Sequence, residues 1–267
     1  AYIDSPFIGA AAVGRLLEKA GCRVGIIAQP DVRSGVDIER LGEPELFWGV
    51  SGGSVDSMVA NYTALGKPRR TDDFTPGGRN DRRPDRAVIA YANLIRSRFK
   101  PTKPIVLGGI EASLRRIAHY DYWTDAVRRS VLADAKADLL VYGMGEKAVL
   151  EIVDRLRNGR DCRDVRGLCY LAAAPPDGTV VLPSFAEVKT DPDAFIRMFR
   201  LLCENQDPVT ARGLCQRQNG RWLVHNPPQP PLSEAELVAS YAWLDSDDYR
   251  ERLAAFAERR RPRFSGR

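Results

Sequence analysis

Three times in this chain an apolar run that reads as a strand ends in glycine and passes into a helical pattern, at Gly52-Gly53, Gly108-Gly109 and Gly143/Gly145. No other feature narrows the fold as much. The runs Leu46–Val50, Pro104–Leu107 and Asp138–Tyr142 are nearly unbroken in apolar character, as strands buried on both faces are. Alternating with amphipathic helices, they predict an α/β fold built on a doubly wound, mostly parallel, Rossmann-like sheet. A further strand is expected at Arg23–Ala28, after a helix over Pro6–Ala20 that Gly21 stops.

The helices expected between these strands run from after Ser54 to Leu65, from Pro84 to Phe99 with the proline in the first turn, from Glu111 to Leu132 with a break near His119–Asp121, and from Glu146 to Asn158. Past Gly159 the rhythm changes. Leu168–Ala172 and Thr179–Leu182 read as a hairpin across Pro175-Pro176-Asp177-Gly178. Pro192–Glu204 reads as a helix, and Gly213–His225 as a second hairpin turning at Asn219-Gly220. Asn226–Pro231 is a stiff connector, and Ser233 caps a last helix. The expected organisation is a Rossmann-like domain over 1–160, a smaller α+β extension over 161–231 and a helical, partly mobile tail over 232–267.

Hydrophobic residues make up 44% of the 267 and charged residues 28%, which fits a globular chain with a sizeable core. No apolar run approaches the roughly 20 residues of a membrane span, and no charged-then-apolar leader stands at the start, so no membrane partner and a cytoplasmic setting are expected. The formal charge of +5 is spread among interleaved acids and bases, as in Asp81-Arg82-Arg83-Pro84-Asp85-Arg86, so a nucleic-acid partner is not expected. The five cysteines, Cys22, Cys162, Cys169, Cys203 and Cys215, fit a reducing compartment. No two are two or three residues apart, which argues against a zinc ribbon, a redox CxxC pair or an iron–sulfur cluster held by this chain alone. No metal ligand or catalytic residue is assigned, and no nucleophile elbow, zincin motif or P-loop is present.

In a doubly wound sheet the three glycine-tipped strand ends share one edge. Glycine lets a ligand approach the backbone, and the helix behind it offers free N–H groups to an anion. Ser51, Gly52, Gly53, Gly108, Gly109, Glu111, Gly143, Gly145 and Glu146 are therefore candidate cofactor-binding residues for an unknown small molecule. A plainer account stands beside this one. Tight strand-to-helix turns use glycine with no ligand present, and a carboxylate in a first helical turn is favoured by the helix dipole alone. His119-Tyr120-Asp121-Tyr122-Trp123 reads either as a helix junction plugging the sheet or as a stacking surface for a planar ligand or a partner domain. Asp4 is placed to cap the helix at Pro6.

Tyr2-Ile3-Asp4-Ser5-Pro6, Val24–Pro30 and above all Leu107-Gly108-Gly109-Ile110-Glu111-Ala112-Ser113-Leu114-Arg115-Arg116 through Trp123 resemble the YgiQ-type radical S-adenosylmethionine family. Lys136-Ala137-Asp138, Gly143-Met144-Gly145-Glu146, Leu182–Phe185 and Asn226-Pro227-Pro228 are similar as well, so the resemblance covers roughly residues 1–240. It implies a domain like the cobalamin-binding Rossmann domains of other radical SAM proteins, preceding a radical SAM barrel that acts as partner in cis or in trans. It also implies a strand before Ala1, and in full-length members a four-iron four-sulfur cluster and S-adenosylmethionine held by a CxxxCxxC motif. Neither that motif nor the cobalamin-ligating Asp-x-His-x-x-Gly signature occurs here. The expected role is an N-terminal accessory domain, inactive alone and of undefined substrate. A free-standing nucleotide- or corrinoid-binding domain and a nucleic-acid-associated protein are the alternatives.

Overall fold

The computed structural model describes residues 9–72, 75–241, and 247, 250, 251, 254, 255, 258, 260 and 263. The expected cap at Asp4 lies outside them, as does half of the tail expected over 232–267. After α1 (Gly9–Lys19) and α2 (Val36–Glu39) come β1 (Trp48–Ser51), α3 (Ser57–Asn61), α4 (Ala87–Arg98), β2 (Ile105–Gly108) and α5 (Gly109–Leu114). Then follow β3 (His119–Asp121), β4 (Ala126–Arg128), α6 (Val131–Asp134), β5 (Leu139–Val141) and α7 (Glu146–Arg157). The last third holds β6 (Leu168–Ala172), β7 (Val180–Val181), α8 (Phe185–Thr190), α9 (Pro192–Glu204), β8 (Leu214–Gln218), β9 (Arg221–His225) and α10 (Glu234–Tyr241).

Seven strands form one sheet in the order β1-β2-β5-β6-β9-β8-β7, and β3 and β4 form a separate ribbon. β1, β2 and β5 are parallel and in register, Val50 opposite Leu107 and Leu107 opposite Leu140. For β2 and β5 the unbroken apolar character has the expected cause, since both faces are covered, whereas β1 buries Trp48 and Val50 on one face and leaves Gly49 exposed on the other. Ile105, Leu107 and Leu140 pack into a cluster with Val88, Leu94 and Ile95 of α4 and Leu132 of α6. Val106, Leu139 and Val141 point the opposite way, onto Ala148, Val149 and Ile152 of α7, with Val13 and Leu17 of α1 packed alongside. The alternation is that of successive strand residues.

The sheet is mixed, not mostly parallel as expected. β6 enters antiparallel to β5, with Leu168 opposite Val141. The reason lies in the chain between them. α7 returns to the amino end of β5, and the stretch 158–167 then runs back up the sheet, so β6 starts at the carboxyl end. The second expected hairpin forms as read, β8 and β9 pairing across Asn219 and Gly220, both at positive φ. The first does not. β6 pairs with β5 and β9, while β7 lies parallel to β8. The strands of 161–231 thus extend the same sheet, and α8 and α9 add Val188, Met198 and Leu202 to the α4 side of the core.

Three further expectations change. Arg23–Ala28 forms no strand, and among the described strands β1 is left at the sheet edge. α4 starts at Ala87, because Arg86 before it is in the left-handed region, so Pro84 lies outside the helix. His119–Trp123 is no helix break but the first arm of the β3–β4 ribbon, His119–Asp121, and the start of its turn, with His119 opposite Arg128. β-branched and aromatic residues favour that pleated geometry.

Leu140 is fully buried in the strand with neighbours on both sides. Leu140→Ala is expected to cost about 2–5 kcal/mol of stability, measured by urea unfolding.

Candidate functional site

At the carboxyl edge of β1 and β2 the chain turns into α3 and α5, and one carboxylate joins the two turns. Glu111 is 1% exposed. Its Oε2 accepts from the Ser57 backbone N–H at 2.9 Å and its Oε1 from the Val88 N–H at 3.0 Å. Ser57 Oγ accepts from the Ala87 N–H at 3.0 Å. The first N–H groups of α4, which has no side-chain cap of its own, are thus satisfied by residues far away in sequence. Asp56 caps α3 by accepting from Met58 and Val59, and it also takes an ion pair from Arg115, one turn beyond Glu111.

This arrangement explains two of the glycines. A Cβ at Gly52 would lie 2.5 Å from Glu111 Oε2, where the carboxylate already sits. Gly109 has φ +82°, and a Cβ there would lie 2.6 Å from Ser51 Oγ, the group that accepts from the Gly53 N–H. Ser51, Gly52, Gly53, Gly108, Gly109 and Glu111 are therefore brought together as the sequence pattern predicts. Glu111, expected to face a ligand, turns inward, and both its oxygens serve the backbone.

Gly143, Gly145 and Glu146 stand at the end of the neighbouring strand β5. Gly145 precedes α7 without a side-chain cap, and the Oε2 of Glu146 is buried with no hydrogen-bond partner. Beside them lies a cluster that sequence spacing could not reveal. Tyr142, the residue after β5, stacks on His225 at the end of β9, with centroids 4.3 Å apart and planes 27° apart. The Arg116 guanidinium lies 4.9 Å from the Tyr142 ring centroid and donates from Nε to His225 Nε2 at 3.0 Å. That bond requires an unprotonated Nε2, so the neutral imidazole carries its proton on Nδ1. Burial, reinforced by the Arg116 charge, pulls the His225 pKa down to about 3. Tyr142 donates its hydroxyl to the Asn226 carbonyl at 2.5 Å.

The iron–sulfur cluster implied by the resemblance does not fit this chain's cysteines. Cys162 packs on the α7 side of the sheet and Cys169 on the other. Burial raises both thiols, Cys169 to about 12, which keeps them protonated where iron needs thiolate. Among the described residues no three of His, Cys, Asp and Glu gather into a metal-holding group. No helix among them is long and apolar enough to cross a membrane. A groove of about 500 Å³ lies at the opposite end of the sheet, below β6. Its arginines are already paired, Arg155 with Glu151 and Asp164, Arg160 with Asp154 and Arg163 with Asp161.

Comparison with known proteins gives consistent relatives. The family described as radical SAM N-terminal matches residues 1–252. A UPF0313 protein of Fusobacterium nucleatum is 54% identical over 242 residues, which is 90% of this chain and 43% of that protein. One from Thermotoga maritima is 53% identical over 244 residues, again 90% and 43%. One from Methanocella arvoryzae is 52% identical over 246 residues, 90% and 41%. The chain thus spans less than half the length of the curated relatives it matches. A solved structure of the radical SAM methyltransferase TsrM from Kitasatospora setae, with tryptophan substrate and a SAM analog bound, covers 64% of this chain and 27% of its own. Its TM-score is 0.42 and its identity 19%.

Two outcomes are expected. Glu111→Ala leaves two buried N–H groups without acceptors and should cost about 2–6 kcal/mol, since each such group costs about 1–3, while Glu111→Gln keeps one acceptor oxygen and should cost less. Urea unfolding of the two variants tests the order. His225 is neutral when folded and takes up a proton near the ordinary 6.5 when unfolded, so acid favours unfolding. Stability should fall as pH drops from 6.5 toward 3, by about 2 kcal/mol at pH 5 from this residue. His119, lowered in the same direction by burial, adds to the effect. Unfolding midpoints at pH 7.5 and 5 should differ less in His225→Gln than in the parent.

Proposed function

This chain belongs to the radical SAM N-terminal family, and we propose that it is the accessory part of a radical SAM enzyme whose iron–sulfur and S-adenosylmethionine site is built by the remainder of the longer polypeptide. One observation carries this reading. Relatives at about half identity extend to more than twice the matched length, while Cys162 and Cys169 lie on opposite faces of the sheet with their thiols buried and, among the described residues, no three metal-ligating side chains gather. A span of this kind can shape and support a reaction centre but cannot ligate its cluster.

In this reading β1, β2 and β5, with the helices that follow them, act as a Rossmann-like unit of the cobalamin-binding-domain type. The turns Ser51–Gly53, Gly108-Gly109 and Gly143–Glu146 form the face turned toward the centre. Glu111 spends both its oxygens on the Ser57 and Val88 N–H groups and so has none to offer a nucleotide or corrinoid. That favours an accessory role over a free-standing binding domain. Within the candidate set we favour the rim at Gly143, Gly145 and Glu146 for contact with a small molecule, since a buried carboxylate oxygen lacks a partner there. We place the protein in the cytoplasm, and its substrate is set by the part of the enzyme beyond this span.

Anaerobic reconstitution with iron and sulfide tests this. The longer Thermotoga maritima relative should retain iron and a broad visible absorption after desalting, and this chain should retain neither. Stable iron on this chain would overturn the reading.

A further inference from the structure

We propose that the β3–β4 ribbon and the adjoining Tyr62–Leu65 loop form a preassembled docking face for the part of the polypeptide that longer family members carry beyond this span. The inference rests on the accessory reading above and locates the contact that reading requires.

The ribbon has only two strands and belongs to no larger sheet, so its own pairing confers little stability. It is nevertheless fixed from below by buried polar groups. Gln216 and Gln218, both buried on β8, direct one carbonyl each at its two roots. The Ala118 N–H donates to Gln216 Oε1 and the Ser130 N–H to Gln218 Oε1, both at 3.1 Å. Asp121, also buried, accepts from the Arg86 guanidinium and from Thr124 Oγ1.

The outer side is apolar and open. Tyr120 is 51%, Tyr122 61% and Leu65 84% exposed. The rings are held, not loose. Tyr122 donates to the Ala64 carbonyl at 2.6 Å and meets Trp123 edge-on at 5.4 Å, and Trp123 lies 5.6 Å from Tyr62. Scattered apolar exposure needs no explanation, but fixed aromatic rings in one patch have the composition and low ordering cost of a binding surface.

The charges decide what kind of partner fits. Two of the tyrosine hydroxyls are bound to carboxylates, Tyr62 to Asp85 at 2.8 Å and Tyr120 to Asp125 at 2.6 Å. Arg69 is turned onto the Val59 and Tyr62 carbonyls. Rings set among mixed charges, Asp85 and Asp125 beside exposed Lys67 and Arg70, suit a protein surface of mixed charge. The protein at hand is the majority of the relatives' length, which lies outside the matched span.

The test uses the intact Thermotoga maritima relative, with a photo-crosslinking amino acid placed in turn at the positions aligned with Leu65, Tyr120 and, on α9, exposed Phe199. Cross-links from the first two positions into the unmatched part of the same chain, several-fold above those from the Phe199 position, are expected. If only the Phe199 position reaches that part, the docking face is wrong and the accessory reading stands. Absence of cross-links into the unmatched part from all three positions removes both. Cross-links from Leu65 and Tyr120 to co-purifying RNA, or only to a second copy, overturn the docking face in favour of those partners. Circular dichroism and thermal midpoints matching the parent protein qualify each substituted chain for the comparison.

Discussion

The meeting of three segments depends on one buried carboxylate. Glu111 stands in the first turn of α5 and holds the entry to α3 with one oxygen and the start of α4 with the other. Hydrogen bonds to an ionised acceptor are among the stronger ones, and the donors here would otherwise be orphans inside the protein. α4 in turn covers β2 and β5 on one side. The seating of α4 on the parallel strands is therefore coupled to a contact made at the strand ends.

A second seam unites the parallel and antiparallel parts of the sheet. Tyr142, His225 and Arg116 come from the end of β5, the end of β9 and the chain after α5, and they stack into one buried group. Asn226 continues it by donating its amide to the carbonyls of Arg163 and Val165 while its own carbonyl accepts from Tyr142. The strands after residue 160 are tied to the first half by side chains as well as by the β5–β6 ladder.

Much of this was legible in the sequence where burial alone dictates pattern. β2 and β5 announced themselves because both faces are covered. α9 did so by its proline start and amphipathic face, and the β8–β9 hairpin by Asn219-Gly220. Partners were harder. Residues 168–172 and the core of 179–182 are strands as read, yet each pairs elsewhere, because pairing is decided by segments distant in the chain. The aromatic run at 119–123 mixes apolar and polar residues in a way that suits a helix break as well as a ribbon, and only the glutamines of β8 settle which forms. The candidate site shows the same division. The glycine turns gather at one edge as predicted, while the use of Glu111 as a cap for another helix depends on Ser57 and Val88, which no local spacing connects to it.

The closeness of Gly52 to Glu111 binds the histories of two positions far apart in the chain. A side chain at residue 52 would occupy the volume now filled by the carboxylate, and a shorter residue at 111 would leave that volume empty and two helices unanchored. Neither position is free to drift alone. Viable descendants of this fold must change them as a couple or keep both, so the smallest residue in the first turn is protected by the acid beneath it.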